Sequence, residues 1–303
     1  MDCVDVVPAA PYDLLRSARG GDGPSRRVRD GAVELRLRDG RAVVRQRADG
    51  SLRIGVEAAD PAGAVASARW LLACDEPVAG LVAAARGDAL LGPLVRRAPG
   101  LRALRVETVA HAALIAFAGQ LITAREARQI ERRVVACAVP VGRDGLAPSP
   151  TAAELLALGS ARLVACGLAQ RRADALLRLL RVVDLERLRD VDADLAAARV
   201  GREPGVGPWT VGVLGLHGYG WADHGLVGDL GLMRLASELR GRPAQPADTA
   251  DLLAPYAPWR GLASVHLLGH PLARRPSGHL LAGRGTAPLH AGAGRTGSAP
   301  ETI

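Results

Sequence analysis

Residues 203–229 read EPGVGPWTVGVLGLHGYGWADHGLVGD, and the interpretation of the chain turns on them. Gly205 and Gly207, with one residue between them, let the backbone take positive φ and come close to a partner. Pro208 suits the first turn of a following helix, where a missing N–H is not felt. The amides of that turn then point outward at the positive end of the helix dipole, a place for a phosphate oxygen. With helical sequence on both sides, these are the features a helix–hairpin–helix needs to hold a nucleic-acid backbone. Asp229 follows in the otherwise uncharged run GLVGDLGLM. An isolated carboxylate there is either a helix N-cap or a catalytic group.

Working outward, the sequence before the hairpin divides in two. Residues 26–58 read as strands: Val33–Leu37 and Val43–Arg47 alternate apolar and polar side chains, and Asp39-Gly40 and Asp49-Gly50 are turn dipeptides. The arginines of residues 16–47 read as the solvated face of a half-buried sheet. Residues 61–73 turn helical. From about residue 101 the periodicity is helical throughout. Thr123 with Glu126 forms a capping box for a helix to Ala138, and Thr151 with Glu154 a second one for a short helix to Leu158. Further helices are expected over 160–166, 170–183, the hairpin, 230–239, 246–256 and 260–268. The fold class expected is α+β: an N-terminal antiparallel sheet domain with helices over 1–100, an all-α helix–hairpin–helix domain over 101–272, and a disordered tail over 273–303. The tail has net charge +3, from four arginines and one glutamate.

Composition narrows the chemistry. The 303 residues suffice for two cored domains, and 49% apolar content is ordinary for a soluble protein. No run approaches the length of a membrane span, and the acidic N-terminus lacks the features of a secretion signal. The expected setting is therefore cytoplasmic and nucleoid-associated, with no membrane partner. Cys3, Cys74, Cys137 and Cys166 show no CxxC pairing and are expected to be reduced core thiols, not zinc or cluster ligands. The net charge of +8 is consistent with an anionic partner. All 39 basic residues are arginines. Arginine binds phosphate through a planar fork, whereas Walker A chemistry and lysine Schiff bases are excluded.

Other short stretches join the hairpin in a pattern: Pro11-Tyr12-Asp13, Gly92-Pro93-Leu94-Val95, Ala98-Pro99-Gly100-Leu101-Arg102, Gly119-Gln120-Leu121-Ile122, Gly205-Val206-Gly207-Pro208-Trp209-Thr210, Asp229-Leu230-Gly231-Leu232 and Pro258-Trp259-Arg260. In this order, over roughly residues 8–270, they resemble the helix–hairpin–helix DNA glycosylase superfamily, and within it the AlkA-type 3-methyladenine DNA glycosylases. The resemblance implies a monofunctional enzyme of base excision repair. It would flip an alkylated purine out of double-stranded DNA and hydrolyse the N-glycosidic bond, leaving an abasic site. The transition state resembles an oxocarbenium ion, so a carboxylate beside the sugar lowers the barrier; Asp229 takes that role by resemblance. Trp209 and Trp259 match pocket tryptophans, which attract an electron-poor base by stacking and cation–π forces. Leu121 matches the wedge that fills the gap left by the flipped nucleotide, with ordinary helix packing as the alternative. Gly205, Val206, Gly207, Thr210 and Gln120 would meet the DNA strand. No organic cofactor or metal is required, although a monovalent cation at the Gly205 and Gly207 backbone fits the resemblance. In bifunctional relatives the nucleophilic lysine occupies the place of Trp209, so no lyase activity is expected.

The chain also departs from the pattern. Val213 stands where a tyrosine usually completes the pocket, Glu203 replaces an apolar residue before Pro-Gly, and Thr108-Val109-Ala110-His111 replaces Asp-x-Phe-Glu. An acid beside a phosphate site weakens binding unless it turns away. These changes leave open a DNA-binding protein with a decayed pocket, or a glycosylase for deaminated purines. His217, His224 and His266 lack metal-ligand spacing and receive no role. A monomer is the default expectation.

Overall fold

Alternation over residues 32–58 does build a sheet. In the computed structural model, which describes residues 2–19 and 22–274, strands β1 (Asp2–Val6), β2 (Arg26–Arg29), β3 (Ala32–Leu37), β4 (Gly40–Gln46) and β5 (Leu52–Ala58) run antiparallel in the order β1-β5-β4-β3-β2. Val33 pairs with Val44, and Val44 with Ile54, so one face presents a continuous apolar surface. Helices α1 (Leu14–Ala18) and α2 (Pro61–Leu71) contribute Leu14, Ala18, Ala64, Ala68 and Leu71 to the core against that face. Strand β1 was not expected from the sequence. It is an edge strand whose only buried residue is Val6, so its residues DCVDV carry no stripe to betray it.

After α3 (Ala79–Ala84) and α4 (Leu91–Arg97), α5 (Val109–Gly119) runs through the middle of the helical part with nine of its residues buried. Helices α6 (Ala124–Ala138), α7 (Ala152–Ala165) and α8 (Gln170–Val182) form one core with it. Both expected capping boxes are formed, at Thr123/Glu126 and Thr151/Glu154. Gly159, at φ +67°, breaks α7 into the two short helices expected on either side of it. The hairpin joins α9 (Ala193–Gly201) to α10 (Pro208–Leu214), which passes into a π-helical turn over Gly215–Tyr219. Helices α11 (Leu230–Arg240), α12 (Pro246–Leu253) and α13 (Arg260–Leu267) share a second core with α3, α4 and α10. No helix among the described residues is long and apolar enough to cross a membrane.

Two expectations need adjustment. The tail was placed from residue 273, yet Leu272–Arg274 forms a 3-10 turn with Ala273 buried and its carbonyl accepting from Arg234 Nη1 at 2.9 Å. The remainder of the expected tail, 275–303, lies outside the described residues. Nor are all four cysteines core thiols: Cys3 is exposed on the edge strand, whereas Cys137 and Cys166 meet at 3.6 Å between sulfurs. A helix–helix contact brings them together from positions the sequence leaves far apart.

His266 supplies a stability prediction. It is buried in α13, and burial, reinforced by the nearby Arg102 charge, pushes its pKa down to about 4. An unfolded histidine protonates near pH ~6.5. The folded state therefore binds fewer protons between these values, and the stability present above the unfolded pKa is lost as pH falls. The loss from this residue is about 3 kcal/mol by pH 4. Urea midpoints measured against pH should fall on the acid side, and His266→Gln should flatten that fall. An unchanged slope in the variant would refute the assignment.

Candidate functional site

The hairpin is set by local geometry. Val206 N–H donates to Glu203 O at 3.0 Å, and Gly205 takes φ +86°. A Cβ at Gly205 would meet Ala175 Cβ at 2.9 Å and lie 3.6 Å from the Phe117 ring. Glycine is thus required twice over, by dihedral and by space. Gly205→Ala should cost about 1–3 kcal/mol, read as a lowered urea midpoint. Gly207 differs: its φ of −99° suits any residue, and a Cβ there would meet nothing within 4 Å. Its backbone faces open space at the start of α10, where no side chain caps the helix.

Glu203 turns away from the hairpin tip. Its carboxylate pairs with Arg199 at 2.8 Å and Arg178 at 3.8 Å, and the side chain is only 12% exposed. The expected penalty on a bound phosphate is therefore largely neutralised. Val206 is buried in the core and the Thr210 hydroxyl accepts from Gln120 Nε2 at 3.1 Å, so neither side chain faces outward. Gln120 also donates to Gly205 O at 3.0 Å and thereby ties the end of α5 to the hairpin.

Asp229 both caps α11 and faces a cavity. Oδ1 accepts from Gly231 N–H at 2.7 Å, while Oδ2 accepts from the Trp209 indole N–H at 3.0 Å. The carboxylate sits at the positive end of the helix dipole, which favours its charge. Trp209 in turn lies against Gly119, where a Cβ would be 2.8 Å from the ring. The cavity they share is about 460 Å³ and is bordered by Ile115, Val213 and Leu226 among apolar residues. That is the size of a small-molecule site. Leu121 stands at its rim, 81% exposed and at φ +56°. A leucine so exposed buries little surface against the fold, and its backbone is one that leucine rarely adopts.

Trp259 does not join this cavity. Its indole docks on Gly80 of α3, where a Cβ would overlap the ring, and it lines a separate cleft with Trp70 and Arg105. Of the expected pair of indoles, only Trp209 borders this cavity, because Trp259 is taken up by Gly80 and the separate cleft. The sequence reading missed Glu131 and Arg128, both of which border the cavity from α6. Their spacing on one helix face was visible, but nothing local says which face meets the hairpin. It also missed the role of His111, which is fully buried between Ser149 Oγ at 2.9 Å and Glu131 Oε1 at 3.0 Å. His217 lines the cavity as well; its Nδ1 lies 2.7 Å from Leu104 O, and burial holds its pKa below the ordinary histidine range.

Comparison with known proteins places this geometry. No protein-family model matches the chain. Two curated relatives from Mycobacterium tuberculosis strains, each named "Probable bifunctional transcriptional activator/DNA repair enzyme AlkA", are 33% identical over 220 residues. The match takes in 70% of this chain but 44% of the relatives, so the chain spans less than half their length. A solved 3-methyladenine DNA glycosylase from Archaeoglobus fulgidus superposes with a TM-score of 0.75 over 88% of this chain and 97% of its own, at 18% identity. The 8-oxoguanine glycosylase/lyase of Clostridium acetobutylicum superposes with a TM-score of 0.72 at 17% identity, over 88% of this chain and 96% of its own. With sequence motifs, fold and hairpin in agreement, the chain belongs to the helix–hairpin–helix DNA glycosylase superfamily.

Proposed function

We propose that the protein is a monofunctional DNA glycosylase of base excision repair that removes alkylated purines, of the 3-methyladenine type, from double-stranded DNA. The observation that carries this reading is the Asp229 carboxylate and the Trp209 indole sharing one wall of a cavity large enough for a purine. Asp229 stabilises the positive charge that develops on the sugar as the C1′–N bond breaks, and its oxygens orient the attacking water. An N-alkylated purine leaves as a neutral base, so no general acid is needed. Trp209 supplies a π-face to the electron-poor ring. Leu121 fills the gap in the duplex, and the free amides at Gly207 and the first turn of α10 hold the strand's phosphate. The Gly205 carbonyl accepts from Gln120 and retains a lone pair for a monovalent cation. With no lysine in the chain, the reaction ends at hydrolysis. The test is to incubate the protein with methylated DNA and quantify free base; absence of release refutes excision.

A second reading is favoured by the reduced pocket, which has Val213 where an aromatic is usual and Trp259 turned elsewhere. A damaged-DNA-binding protein on this scaffold would bind lesion duplexes without releasing base. A glycosylase for deaminated purines would release hypoxanthine from inosine-containing duplexes and leave methylated DNA intact.

A further inference from the structure

Helix α6 sends one face down the cavity. Ala124, Ala127, Arg128 and Glu131 all border it, at the spacing that places residues on one side of a helix. Ala124 is exposed, Ala127 and Arg128 are half-buried and Glu131 is buried, so the face descends from surface to floor. At 1.5 Å per residue Glu131 lies about 10 Å along the helix from Ala124. Asp229, half-buried and next to exposed Leu230, borders the same cavity. A nucleotide flipped into this space keeps its glycosidic bond beside Asp229, and the Watson–Crick edge of its base reaches inward.

We propose that Glu131 reads that edge and tilts the pocket toward guanine-type over adenine-type alkylated purines. The inference rests on the excision reading above. Glu131 is held in place by a buried relay: Oε1 is 3.0 Å from His111 Nε2, and His111 Nδ1 is 2.9 Å from Ser149 Oγ. Ser149 Oγ also accepts from the Glu107 N–H at 3.2 Å. Its one hydrogen is then available to His111 Nδ1, which leaves Nε2–H to donate to the carboxylate; this proton placement follows from the bonding pattern. A carboxylate so oriented only accepts hydrogen bonds. Guanine presents two adjacent donors on its Watson–Crick edge, N1–H and the 2-amino group. Adenine presents one donor beside the N1 lone pair, which faces an anionic acceptor unfavourably. His217 also borders the cavity, and burial there disfavours its charged form, so it adds no opposing charge. A plainer role for Glu131 is to offset the nearby Arg26 guanidinium, whose charge it helps to stabilise. That role would move stability but not selectivity.

DNA methylated with dimethyl sulfate carries both 7-methylguanine and 3-methyladenine, so one incubation reports both released bases. Wild-type protein is expected to release both, and Glu131→Gln to lower the ratio of 7-methylguanine to 3-methyladenine about tenfold, since an amide pairs donor-to-acceptor with adenine. Affinity for abasic-site DNA, which offers no base to read, should not change. If wild type releases neither base, the excision reading falls. If it releases both and the variant's ratio is unchanged, or if it releases 3-methyladenine alone, the Glu131 assignment fails and excision stands. Should thermal melting show Glu131→Gln unfolded, wild type is compared on duplexes bearing 7-methylguanine or 7-methylhypoxanthine, each corrected for spontaneous loss. Slower release of the base lacking the 2-amino group is expected, and equal release refutes the proposal.

Discussion

Asp229→Asn should slow release of methylated bases by about 10²–10³-fold while leaving duplex affinity within a few-fold. Asparagine keeps the shape, so the cavity is not remodelled. Its side-chain oxygen can still cap α11 through the Gly231 and Leu232 amides. What it cannot do is serve both partners of the native carboxylate. If the oxygen caps the helix, the amide N–H₂ confronts the Trp209 indole N–H, a donor against a donor. A modest loss of stability, about 1 kcal/mol, is therefore expected alongside the kinetic effect. The large effect comes from charge: the sugar cation loses its counter-ion in a partly water-excluded site. The measurement is single-turnover base release from methylated DNA with wild type and variant at equal saturation. Equal rates would remove Asp229 from the chemistry and leave it as a cap only.

The features legible in the sequence were those determined within a few residues. Alternation at Val33–Leu37 and Val43–Arg47 sets the sheet, and the Thr123 and Thr151 capping boxes set two helix starts because both partners lie within one turn. Gly205 was legible because its dihedral demand is its own. The features that escaped depend on what stands opposite. Trp209 and Trp259 look alike as sequence, yet one docks on Gly119 and points at Asp229, while the other docks on Gly80 and points away. Glu203 looked hostile to an anion until Arg199 and Arg178 closed on it. Glu131, His111 and Ser149 come from separate elements, and only the packing of α5 against α6 and the loop before α7 turns them into a relay. Pairings of that kind belong to tertiary structure, for which no single stretch carries a signal.

Phe117→Ala should cost about 3–5 kcal/mol, a large share of the ~5–15 kcal/mol that holds a domain together. Phe117 is the chain's single phenylalanine, fully buried on α5 within the larger helical core. Truncation removes its transfer free energy and leaves a void that well-packed neighbours fill only in part. The position of that void gives the prediction its functional content. The ring lies under the hairpin, 3.6 Å from where a Cβ at Gly205 would stand. The hairpin, tied to α5 by Gln120, should sag into the space and lose the alignment of its amides. Urea denaturation should show a lower midpoint with an unchanged slope, and DNA affinity measured below the transition should fall as well. The added methyl of Gly205→Ala stands at ordinary contact distance from the Phe117 ring and presses on Ala175, 2.9 Å away. The double variant should then be less destabilised than the sum of the two, because the void beside the hairpin lets the methyl move off Ala175. Strict additivity would mean that Phe117 and the hairpin do not share this contact, and the mechanical link between core and DNA grip would be lost.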